Sequence, residues 1–159
     1  MENRCPQCGA TLPQGVPAWV RQLTVGQVMT PGPVTLGPED SLMRAGEVMR
    51  MRGIRRIPIV VAETLVGLLA EGDLKRAQPS TLSDSQEEFN RVMEQTPLSR
   101  IMIDKPITVT EATSLLEAAR TLHNTKFGAL PVVRDGRLVG IVTDTDLLRC
   151  LVDLLAQAG

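Results

Sequence analysis

Apolar residues change their spacing along this chain in a repeating order. Leu115, Ala118, Ala119 and Leu122 recur at helical intervals. Two short apolar runs follow, ALPVV and RLVGIVT, divided by Asp135-Gly136, a strong hairpin-turn signal. A last apolar helix is expected from roughly Thr145 to Ala156, with Leu147, Leu148, Leu151, Val152, Leu154 and Leu155 on more than one face. Upstream the order recurs: an extended piece (PVTL, then PITV in the second copy), a helix, two apolar runs (RIPIVV and TLVGLLA) and a closing helix. Ser41 and Thr113/Ser114 are the candidate N-caps.

The resemblance between the halves extends to individual residues. Met29 and Met102 stand 73 positions apart, and that offset runs without a gap for fifty residues, fourteen of them identical. It pairs Pro33 with Pro106, Pro58 with Pro131, Leu65-Val66-Gly67 with Leu138-Val139-Gly140, and Asp73-Leu74 with Asp146-Leu147. The order is β-α-β-β-α, twice, an α+β chain. One such unit hardly buries enough apolar surface to fold alone, so the copies are expected to pack about a pseudo-twofold axis. Between them, Ser85 and Glu88 match a capping box and Phe89, Val92 and Met93 form one stripe, predicting a docked helical insert. The expected divisions are a tail over 1–22, repeats over 23–78 and 98–159, and a helical linker over 79–97.

Composition narrows the function. Hydrophobic residues are 43% and charged residues 22%, ordinary for a globular protein. A formal net charge of −1 and only Trp19, Phe89 and Phe127 as aromatics argue against nucleic-acid binding. The first residues lack an apolar signal region and no apolar run reaches spanning length, so no membrane role and a cytoplasmic location are expected.

The repeated motifs resemble the cystathionine-β-synthase (CBS) domain pair, or Bateman module. They are the V-x-x-V-M-T stretch at Val25–Thr30, PVTL and PITV, PIVV and LPVV, and GIVTDTD at Gly140–Asp146. The resemblance covers roughly residues 25–155, and the helical insert is similar to that of stand-alone acetoin-utilisation-type CBS proteins. It implies a regulatory module binding AMP, ADP, ATP or S-adenosylmethionine, with no enzyme activity of its own.

The stretch TDTD carries two readings. Thr143 with Asp146 three residues later is a helix cap. The same geometry can hold a nucleotide: the resemblance gives Asp146 the ribose hydroxyls and Thr143 the phosphate. It also brings Arg55 and Arg56 of the first repeat to that phosphate. The twin junction, AEGD, keeps Asp73 but has Ala70 for Thr143, and Gly128-Ala129 stand where Arg55-Arg56 do. One competent and one depleted cleft are therefore expected. The adenine is assigned to Ile107 and the segment Ala129–Pro131, an apolar slot.

Cys5-Pro6-Gln7-Cys8-Gly9 resembles half a zinc ribbon. Structural zinc takes four ligands, and Cys150 and His123 read better as a core or interface thiol and a helix-end residue. Cys5 and Cys8 from each chain of a symmetric dimer would complete a zinc site; a reduced tail and a redox dithiol are the alternatives. A homodimer through the final helix is expected, with output to an unidentified effector protein. A ligand-independent scaffold, zinc-bridged through the cysteines, is the competing reading. No nucleophile–base pair or open metal site is visible.

Overall fold

The computed structural model describes residues 4–11, 17–80 and 85–157. A 3₁₀ helix, Ala18–Gln22, leads into α1 (Val25–Val28) and β1 (Thr30–Pro31). The first repeat continues through α2 (Leu42–Arg52), β2 (Arg56–Val61), β3 (Thr64–Ala70) and α3 (Glu71–Ala77). After α4 (Gln86–Gln95) and a short 3₁₀ turn, the second repeats the order: β4 (Ile103–Asp104), α5 (Leu115–Thr125), β5 (Ala129–Arg134), β6 (Arg137–Thr143) and α6 (Asp144–Gln157).

The helix starts follow from local chemistry. Ser41 Oγ accepts the Arg44 N–H at 3.1 Å and Ser114 Oγ accepts the Glu117 N–H at 3.1 Å, each satisfying a donor the first turn leaves open. Ser85 caps α4 in the same way. Glu88, however, does not reach back to complete a capping box; its carboxylate is held by Arg91 instead. Met93 of α4 is buried in the first repeat's core, with Phe89 packed against it.

All strand pairs are antiparallel, in two three-stranded halves joined where Thr64 meets Arg137. Each half borrows a strand from the other repeat. β1 precedes the first repeat's helix yet pairs with β6, Thr30 opposite Ile141; β4 pairs with β3, Ile103 opposite Leu68. This corrects one expectation. PVTL and PITV are not the leading strands: they contribute one parallel bridge each, Leu36 to Ile59 and Val109 to Val132. The reason is Pro58 and Pro131, which have no N–H to give a neighbouring strand. Their carbonyls accept only the Leu36 and Val109 N–H groups, at 3.3 and 3.1 Å.

Each repeat has its own core, around Leu42, Ile57, Leu69 and Leu98 in the first and Val25, Leu122, Leu130 and Val142 in the second. Leu68, Ala129 and Ile141 form a third cluster that joins them. Fully burying one such leucine contributes about 1.5–3 kcal/mol, so a shared middle layer adds what a lone repeat lacks. Gly67 and Gly140 make this interleaving possible. A Cβ on either would stand 2.5 Å from the sulfur of Met102 or Met29, the residue just before the borrowed strand.

Candidate functional site

The TDTD junction lies where β6 ends and α6 begins. Thr143 Oγ1 accepts the Asp146 N–H at 3.3 Å, and the Asp146 carboxylate accepts the Thr143 N–H at 2.9 Å. The helix cap read from the sequence is thus present in both directions. Asp146 is only 4% exposed, the buried charged residue among the described residues. Burying a carboxylate demands partners, and it has four. Oδ2 takes the Thr143 N–H and hydroxyl, at 2.9 and 3.0 Å; Oδ1 takes Thr30 Oγ1 at 3.1 Å and the Arg149 guanidinium at 2.6 Å.

Thr30 and Arg149 are the site residues that the motif left out. Arg149 lies three residues after Asp146 on the same helix face, a spacing visible in the sequence. Thr30 carries no such signal, because only the borrowed strand β1 brings it to β6. The twin carboxylate shows what is missing: Asp73 has Ala70 and Ile103 in the places of Thr143 and Thr30. Arg76 is its side-chain partner, and its own side chain is 19% exposed.

Asp146 borders a cavity of about 380 Å³ between α6 and the amino-terminal segment. Trp19, Leu23, Val28, Met29 and Leu154 supply apolar walls; Gln27, Arg149 and Asp153 supply polar ones. A ligand hydroxyl has no spare lone pair on Asp146 and must displace Thr30 or Arg149. Arg149, whose side chain is 61% exposed, is the easier to move.

The remaining expected residues lie elsewhere. Arg55 is exposed, and its carbonyl accepts the Glu71 N–H at 2.9 Å. Arg56 crosses to the second repeat, where its Nε donates to the Phe127 carbonyl at 3.0 Å and its guanidinium covers Gly128. It lines a separate cavity of about 470 Å³ between α5 and α6, with His123, Lys126 and Asp144. Neither arginine is brought to Asp146. Ala129 is buried against Leu68 and Ile141, and Pro131 is fully buried, so neither side chain has a face left for a ligand. Ile107 is exposed and lines neither cavity. None of these three residues lines the Asp146 cavity.

At the amino terminus, the Cys5 N–H donates to Ala10 O at 2.8 Å and the Gly9 N–H to Cys5 O at 2.9 Å, closing a tight turn. Backbone N–H groups of Cys8 and then Gln7, followed by the Cys8 thiol, hold the Cys5 thiol below its ordinary pKa. Among the described residues no three His, Cys, Asp or Glu side chains gather where a metal could sit. Also among them, no helix is long and apolar enough to cross a membrane.

Two copies of the CBS domain model match the chain, at residues 25–80 and 98–153. The chain belongs to the CBS domain family. Its fold is similar to that of an acetoin utilization protein, AcuB, of Vibrio cholerae (33% identity, TM-score 0.75, covering 86% of this chain and 97% of that one). It is similar also to CBSX2 of Arabidopsis thaliana, solved in complex with AMP (30% identity, TM-score 0.69, covering 82% and 97%). A third similar structure is the CBS domain pair of protein MJ0100 with 5′-methylthioadenosine and S-adenosylmethionine (26% identity, TM-score 0.68, covering 82% and 97%). The two CBS repeats thus carry the same α+β architecture as proteins seen with adenosine-containing ligands.

Proposed function

We propose that this chain is a non-catalytic sensor whose Asp146 cleft binds an adenosine-type ligand, AMP among the candidates with ADP, ATP and S-adenosylmethionine. One observation carries the reading. A nearly buried carboxylate, flanked by two threonine hydroxyls at a helix start, borders an open cavity, whereas its twin Asp73 has Ala70 and Ile103 in place of those threonines. The ribose hydroxyls would replace Arg149 on Asp146, and the released guanidinium, beside the N-terminal turn of α6, would meet a phosphate. Arg55 and Arg56 are not needed for this. Similar structures hold AMP, 5′-methylthioadenosine and S-adenosylmethionine, which supports the ligand class. Calorimetric titration of the full chain with AMP, ADP, ATP and S-adenosylmethionine tests it: saturable heat with at least one is expected, and none with any overturns the reading.

The output of such a sensor would go through assembly. Leu148, Leu151, Val152 and Leu155 form an exposed apolar stripe on α6, and Leu116 is exposed on α5. A stripe at this spacing suits a second copy in an isologous homodimer, from which an effector protein would read the ligand state. Light scattering should give twice the chain mass, and Leu151→Glu should return a single chain.

The Cys5–Cys8 turn supports a second element. Its N–H groups favour a thiolate, and two such turns from a homodimer would supply the four sulfurs that zinc needs. One zinc per two untagged chains is expected, and none would leave the turn as a plain dithiol.

A further inference from the structure

The cavity at Asp146 has an aromatic wall that lies outside both repeats. Trp19 is the sole tryptophan of the chain, and it precedes the CBS-matched residues 25–80. It borders the same cavity as Asp146 and is 49% exposed, a large indole turned only half away from water. The 3₁₀ helix that carries it buries no residue of its own, so the core does not explain its place. Its position is nonetheless fixed. Leu23 O accepts the Leu115 N–H at 2.8 Å and Val25 N–H donates to Thr113 O at 2.9 Å, tying the segment to the start of α5.

We infer that Trp19 is a ligand-binding residue, the face on which the nucleobase stacks while Asp146 holds the ribose. This rests on the adenosine reading of the cleft. The apolar remainder of the wall, Leu23, Val28, Met29 and Leu154, offers a base no π-face. A cavity of about 380 Å³ is within the size range of small-molecule sites. The segment that carries Trp19 is then part of the binding site.

The test uses the full chain with AMP as probe. Because the chain has one tryptophan and no tyrosine, indole emission reports on Trp19 directly. Emission should change along the same saturation curve as the calorimetric heat. Trp19→Ala should weaken AMP binding about tenfold, in line with loss of one base–aromatic stack, while Trp19→Phe stays within about threefold of wild type. Unchanged melting of both variants without ligand is expected, since the indole is half exposed. If AMP releases heat in wild type but emission stays flat, or if Trp19→Ala binds AMP by calorimetry as tightly as wild type, the inference falls and the cleft assignment survives. If wild type binds no adenosine ligand, both fall together.

Discussion

Thr30 and Asp146 lie 116 residues apart and are joined by a hydrogen bond of 3.1 Å. The contact exists because β1 leaves its own repeat to pair with β6. Thr30→Val keeps the shape and removes the donor. It should cost about 1 kcal/mol of stability and weaken AMP severalfold, read by thermal melting and calorimetry. An unchanged melting temperature would mean that Arg149 and Thr143 satisfy the carboxylate alone.

The two aspartates should respond unequally. AMP at a hundred times its Kd should add about 2.7 kcal/mol to wild type. Asp73→Ala should retain most of that gain and Asp146→Asn should lose it. Asp146→Ala should also destabilise the unliganded chain by about 1–3 kcal/mol, because the partly buried Thr143 N–H loses its acceptor. Equal loss from both variants would refute the asymmetry.

Gly140→Ala probes the interleaving. The added methyl would stand 2.5 Å from Met29 Sδ and 3.1 Å from the Thr30 carbonyl, so β1 must shift and carry Thr30 with it. A loss of about 1–3 kcal/mol is expected from the overpacking, with weaker AMP binding as the second readout. A variant as stable as wild type and with native affinity would show that the methionine alone yields.

The hairpins predict a stabilising change. Asp135 and Gly136 take φ of 52° and 78°, as that pair does readily; Ala62 and Glu63 take 46° and 67° in the equivalent turn without the residues for it. Ala62→Asn with Glu63→Gly should add about 1 kcal/mol. The exposed Glu63–Arg137 pair, at 3.4 Å, is lost in exchange and contributes little. A lower melting temperature would contradict this.

Cys5 should alkylate as a thiolate at lower pH than an ordinary cysteine. Hydrogen bonds from the Cys8 and Gln7 N–H groups favour the charged form, so the thiolate fraction at a given pH rises. The midpoint of its rate against pH, followed by mass spectrometry, should lie below that of the same residue in denaturant. Coincident midpoints would mean that the turn opens in solution.

The sequence by itself determined what short-range chemistry and repetition encode. The 73-residue offset established the two β-α-β-β-α units, serines marked the helix starts, and Asp135-Gly136 marked a turn. The Thr143–Asp146 cap was legible because its partners are three residues apart, within reach of one helical turn. Tertiary structure decided the rest. Thr30 reaches Asp146 only through a borrowed strand, and Trp19 borders the same cavity only through a tied-down amino-terminal segment. Arg56 donates to the Phe127 carbonyl, and Ala129 and Pro131 are buried. Apolar identity does not say which side of a strand a second layer will cover, and a guanidinium follows the nearest acceptor that packing supplies. Those outcomes depend on how two similar halves interlock, which no local pattern records.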